Sequence, residues 1–306
     1  MNNNLNSNTL SLNERWYLNR NWQFVIFNVL FVLAFIGTLR ELVLTSWRSE
    51  YYTYIPFIPF ISAYLIHEDR HNIFSRQDYS LPLGLPLIVI GSLLLYIVNI
   101  NASLADSADR LSIITLLLIT IWIGGFTLIY GAKTLRVAAF PLLFLFFAVP
   151  IPNAALEWTI SILQTGSAEV AYRVLQVTGM PLARDGFVFH LQTMDIEVAP
   201  QCSGIRSSLS LLITGVLAAY FFLRTGWTRT VLMLTLVPIA ILKNGIRIAV
   251  LSILAIYWDE KILASDLHKR GGFVFFILAL LLVGAVITLL RKREGNLPRG
   301  RDGREG

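Results

Sequence analysis

The sequence predicts an all-α polytopic membrane protein of about eight transmembrane helices, with an amphipathic interfacial helix and a short external hairpin. Two observations carry this. Of 306 residues, 55% are hydrophobic and 14% are charged, whereas soluble domains carry about 25% charged residues. The apolar residues are also gathered into runs near the ~20 residues a helix needs to cross a bilayer. No internal repeat or Gly/Ser linker divides the chain, so a single integral membrane domain over 1–306 is expected. It comprises a cytoplasmic N-terminal segment (1–21), a membrane core (24–290) and a basic cytoplasmic tail (291–306).

The elements follow in order. The first 20 residues are Asn-rich and polar and contain no cleavable apolar core, so no signal peptide is expected. Spans are predicted at 24–46, 51–66, 81–100, 111–131, 135–152, 204–223, 229–257 and 272–290. Pro56 and Pro59 predict a kink or a tilted insertion in the second. Between spans five and six, Leu156, Ile160, Leu163, Val170, Val174 and Val177 recur at helical spacing, with Glu157, Gln164, Glu169 and Arg173 between them. Such a pattern predicts an amphipathic helix over 156–178 at the membrane interface. Partial alternation over 186–198 predicts a β-hairpin. Trp22, Trp47, Trp158, Trp227 and Trp258 fall near span ends, as an aromatic belt does.

Loop charges orient the spans. Arg15 and Arg20 precede the first, Arg70 and Arg76 follow the second, Lys133 and Arg136 follow the fourth, and Arg224 and Arg229 follow the sixth. Six Lys/Arg residues lie in the last 16 positions. The positive-inside rule then puts both termini in the cytoplasm and leaves 101–110, 153–203 and 258–271 outside. The net charge of +6 comes with no interleaving of aromatic and basic residues, so no nucleic-acid partner is expected.

Chemistry concentrates on that outer face. Cys202 is the single cysteine and stands where span six begins. Pro200 forbids a smooth helix through this point, so the helix is expected to start at or just after Cys202, capped by Cys202 or Ser203. A thiol at a helix N-terminus favours its thiolate, and Arg206, four residues on, is read as a neighbour that tunes it, with a catalytic role in place of Arg247 as the alternative. Arg247 lies inside span seven with Asn244 on the same face, and ionisable groups at that depth face protein or a wet cavity. His268 closes the outer turn before span eight. A Cys–His pair is the minimum for thiol acyl transfer, and an arginine can stabilise the oxyanion. Asn244 is expected to orient Arg247 or His268, or to bridge helices. His190, near Asp195 and Glu197, is a second possible base. His67 and His71 have a metal-like spacing but no third ligand nearby, so neither metal nor cofactor is expected.

The stretch Val198–Arg206, the run Asn244-Gly245-Ile246-Arg247 and His268 together resemble the exosortase/archaeosortase family. Ile55–Phe60 and Phe147–Pro152 add to the resemblance, which covers about residues 50–290. It implies a membrane cysteine protease/transpeptidase acting on C-terminal sorting signals of exported proteins: a motif such as Pro-Glu-Pro, a membrane helix and a basic cluster. On that resemblance Cys202 is the nucleophile, with Arg247 and His268 as the other catalytic residues. Ser203 and Gly204 are possible backbone donors to the oxyanion. The resemblance further implies a bacterial inner membrane, lipid contacts, an acyl acceptor that resolves the thioester, and a link to exopolysaccharide production. Two other classes compete. A non-enzymatic component of polysaccharide export or assembly predicts a dispensable Cys202, and a secondary transporter predicts inverted repeats that the sequence lacks.

Overall fold

The computed structural model describes residues 12–75, 78–101, 107–191, 194–257 and 272–296. The chain is a mostly helical multi-pass membrane protein with one short antiparallel sheet. Among the described residues six helices are long and apolar enough to cross a membrane: Arg20–Arg48, Leu81–Ile100, Ala108–Tyr130, Pro200–Phe222, Gly226–Tyr257 and Gly272–Gly295. A seventh is counted if the broken pair Ala139–Ala148 and Asn153–Val177 makes one span. Two of the eight predicted spans are therefore not single crossing helices. The chain packs as two compact units, Met1–Asn153 and Ala154–Gly306.

The first unit contains α1 (Leu12–Arg48), α2 (Ile58–Glu68), α3 (Arg70–Ile73), α4 (Leu81–Ile100), α5 (Ser107–Tyr130), α6 (Ala132–Val137) and α7 (Ala139–Phe144). The predicted span 51–66 is a 3-10 turn, Ile55–Phe57, running into the 11-residue α2. Pro56 and Pro59 each stand in the first turn of their segment, where a missing N–H costs nothing. α2 covers about 16 Å, half of a bilayer core. The predicted span 135–152 breaks at Ala138 into α6 and α7, and a 3-10 turn follows at Leu145–Ala148. Pro141 explains the break. It has no N–H for the Val137 carbonyl, and its ring collides with that group. Phe126, Ile129, Tyr130, Ala138 and Leu142 form the buried core here. Phe24 meets Trp122, Phe126 and Tyr130 edge-on, and Trp122 Nε1 donates to Asn28 Oδ1 at 2.9 Å.

The second unit contains α8 (Asn153–Val177), β1 (Leu182–Asp185), β2 (Val188–Leu191), β3 (Asp195–Glu197), a 3-10 turn (Pro200–Ser203), α9 (Ile205–Phe222), α10 (Gly226–Tyr257) and α11 (Gly272–Asn296). The predicted hairpin is present as β2–β3, but the sheet gains a third strand, β1, ahead of it, in the order β1-β2-β3. Gly186, at φ 58°, makes the two-residue turn from β1 to β2.

α8 forms where predicted, yet its buried stripe is Leu156, Leu163, Gln164, Ser167, Ala168, Ala171 and Leu175. Leu156 and Leu163 of the predicted face lie in this stripe, Ile160, Val170 and Val174 are half-buried beside it, and Val177 is exposed. Ser167, Ala168 and Ala171 join the stripe where α8 comes closest to α10. Ala168, Ala171 and Leu175 share one buried cluster with Phe189 and Val198 of the sheet region and Ala249 of α10. Gln164, expected on the polar side, is buried and donates to the Val198 carbonyl at 2.6 Å. Gly245 sets the approach of α10 to α8, since a Cβ there would stand 2.5 Å from Val170 Cβ and 2.9 Å from the Ser167 carbonyl oxygen. At the other end of α10, Glu294 of α11 accepts from the N–H groups of Arg224 and Thr225 and from the hydroxyls of Thr225 and Thr228. It thereby satisfies donors that a helix start leaves open.

Candidate active site

Cys202 lies in the 3-10 turn that Pro200 opens, and its N–H donates to the Ala199 carbonyl at 2.8 Å. The turn ends at Gly204, whose φ of 74° is left-handed. An L side chain would be strained in that conformation, and a Cβ would in addition meet Asn244 Oδ1 at 2.5 Å. α9 begins only at Ile205, with Gly204 as its cap residue and no side-chain cap. This corrects two expectations. Neither Cys202 nor Ser203 caps the helix. Nor does Arg206 share a helical face with Cys202, because the left-handed residue breaks the 3.6-residue period between them. Arg206 is exposed and is not among the residues lining the cavity beside the thiol. Two hydroxyls tighten the entry instead, Ser207 Oγ and Ser208 Oγ each donating to the Gly204 carbonyl at 2.9 Å.

α10 holds this turn from the side. Asn244 is fully buried, and its Nδ2 donates to the Cys202 carbonyl at 2.8 Å and to Ser167 Oγ at 3.1 Å. Its partners are thus the cysteine's own backbone and α8, so of the roles expected for it the helix-bridging bond is the one observed. Lys243, the preceding residue, is also buried and donates through Nζ to Ser207 Oγ. Adjacent residues of one helix therefore grip both sides of the turn, at Cys202 and, through Ser207, at Gly204. Ser203 is fully buried, and among the described residues its hydroxyl has no hydrogen-bond partner.

A cavity of about 240 Å³ opens at the thiol. Its walls are Asp195, Ile196, Glu197 and Val198 from the sheet side, Cys202 from the turn, and Arg247, Ile248, Leu251 and Ser252 from α10. Arg247 is one helical turn beyond Lys243 and lines this space together with the half-buried Cys202. A Cβ at Gly272, the first residue of α11, would lie 3.9 Å from Arg247 Cζ, so that end of α11 borders the site. His190 pairs with Asp195, Nδ1 to Oδ1 2.9 Å, on the exposed face of β2 and β3. His268 and Trp258 lie outside the described residues.

The structure thus brings together Cys202, Ser203, Gly204, Asn244 and Arg247, and sets Arg206 apart. The chain matches the transmembrane exosortase family (Exosortase_EpsH) over residues 46–285. No curated protein and no solved structure matches it.

Proposed function

Because the chain belongs to the transmembrane exosortase family, we propose that it is a membrane-embedded cysteine peptidase/transpeptidase that removes C-terminal sorting signals from exported proteins. The family implies the sorting function. The chemical assignment rests chiefly on one observation: Cys202 and Arg247 line a single cavity, and Asn244, a turn before Arg247, holds the cysteine's carbonyl.

The Cys202 thiolate adds to the scissile carbonyl carbon. The oxyanion that forms faces the Arg247 guanidinium, whose fixed fork of donors suits a developing negative charge. The C–N bond then breaks, and the leaving amine takes a proton from His268, leaving a thioester on Cys202. Water or an acceptor amine or hydroxyl attacks that thioester, gives its proton back to His268 and releases the thiolate. His268 stands four residues before Gly272, a length of chain that spans at most about 14 Å. Gly272 adjoins Arg247, and this supports a role for the histidine at the same site. The family resemblance implies a bacterial inner membrane, and the basic tail and loops assign both termini to its cytoplasmic side and the thiol to its outer side. The link to exopolysaccharide-associated sorting belongs to the same proposal.

The test is co-expression with an exported reporter ending in a Pro-Glu-Pro segment, a membrane helix and a basic cluster. Intact chain and Cys202→Ala are compared by reporter size on a gel. Tail loss that vanishes in Cys202→Ala is expected. Equal tail loss in both would assign the cleavage to another protease and leave Cys202 structural, as a non-enzymatic export component requires.

A further inference from the structure

The three-stranded sheet has two edges, and they differ in what they face. No residue of β1 lines the cavity, whereas all of β3, with Val198 after it, lines it alongside Cys202. The register of the β2–β3 ladder identifies the spare backbone groups on that edge. At one end Leu191 N–H donates to the Met194 carbonyl at 3.0 Å; at the other, Val198 N–H donates to the Phe187 carbonyl at 2.9 Å. Antiparallel ladders alternate bonded and non-bonded pairs. Phe189↔Ile196 is then the bonded pair between those ends, and Val188↔Glu197 and His190↔Asp195 are non-bonded. The N–H and C=O of Asp195 and Glu197 therefore point away from β2, along the open edge. Among the described residues no other strand pairs with it. The side chains agree with this frame, Ile196 being buried between exposed Asp195 and Glu197.

An edge beside a nucleophile invites one particular occupant. A peptide bond inside a helix has its carbonyl engaged, so cleavage requires the segment around it to be unwound. Unwound main chain near a membrane needs hydrogen-bond partners. A sheet edge supplies them without regard to side chains. We infer that β3 is a docking edge: an extended polypeptide segment flanking the scissile bond adds as a fourth strand, pairs with Asp195 and Glu197 through its main chain, and so delivers its carbonyl to Cys202. This rests on the peptidase reading above and describes how that site holds its peptide.

Two experiments test it, both with the reporter described above. The first compares Glu197→Pro with Glu197→Ala. Both remove the carboxylate, and only proline removes the outward N–H, at a position where the β2 ladder does not use it. Equal melting temperatures verify the fold, and tail removal is expected to be roughly tenfold slower in the proline variant. Equal rates overturn the docking edge.

The second experiment needs no turnover. Cys202 is the chain's single cysteine, so Cys202→Ala combined with Glu197→Cys carries one thiol at the edge. The reporter receives a cysteine at successive positions through its motif, and disulfide yield is measured. Yield alternating with a period of two is the signature of a paired strand, whereas an even or patternless yield overturns it, also where the proline variant does not fold. Thiol-independent tail loss together with period-two cross-linking would sink the peptidase chemistry and leave the docking edge standing. A reporter that is neither cleaved nor cross-linked overturns both.

Discussion

Asn244 shows how much of the site hangs on single atoms. Its amide donates to the Cys202 carbonyl and to Ser167 Oγ from a fully buried position. Asn244→Asp is nearly isosteric but offers an acceptor to that carbonyl, and it buries a carboxylate. Tail processing is expected to fall at least tenfold (about 1.4 kcal/mol). A rate within twofold of the unaltered chain would show that the cysteine turn needs no such tether. Asn244 and Arg247 were legible in the sequence because an amide or a cation inside an apolar run has few innocent explanations. Lys243 obeys the same rule and was passed over, although it sits beside Asn244 and is also buried. Ser167 and Gln164 were hidden for a different reason: on a helix read as interfacial, hydroxyls and amides look like the solvent side. Only the packing of α8 against α10 and the sheet turns them inward.

At the scale of elements, Gly245 fixes how closely α10 approaches α8, and this spacing is what lets Asn244 reach both Ser167 and Cys202. Gly245→Leu places a side chain where even a Cβ meets Val170 at 2.5 Å. Overpacking of this kind costs about 1–3 kcal/mol. The expected outcome is a melting temperature in detergent lower by roughly 3–10 °C, with tail processing reduced at temperatures where the variant remains folded. An unchanged melting temperature would mean that the two helices separate without cost. The long spans were readable because hydropathy over twenty residues leaves a helix few alternatives. The break at Ala138 was not read, although Pro141 announces it, because hydropathy alone ran through the proline. β1 was missed because Leu182–Asp185 carries two charged residues in four. It becomes a strand through its pairing with β2 and the tie from Arg184 to Glu169, 2.9 Å, on α8.

The whole molecule is organised by charge as well as hydropathy, and its single thiol makes the arrangement measurable. If the termini are cytoplasmic, a membrane-impermeant maleimide added to spheroplasts labels Cys202, and inverted vesicles leave it unlabelled. Labelling confined to inverted vesicles would reverse the orientation and put the cavity on the wrong side for exported substrates. Membrane class was plain from composition, whereas the packing into two units depends on contacts between distant residues that no local pattern records. α10 is 32 residues long, about 48 Å, against a hydrocarbon core of about 30 Å, while the 18 residues of α9, about 27 Å, fit that core closely. A helix in such excess tilts, kinks at its internal Pro238 or thickens the lipid around it, and each adjustment depends on bilayer thickness. Asn244 and Arg247 ride on this long helix, whereas Cys202 rides at the entrance of the matched one. Tail processing in liposomes is therefore expected to peak at one acyl-chain length and to decline on either side of it, so that lipid composition acts as a rheostat on it.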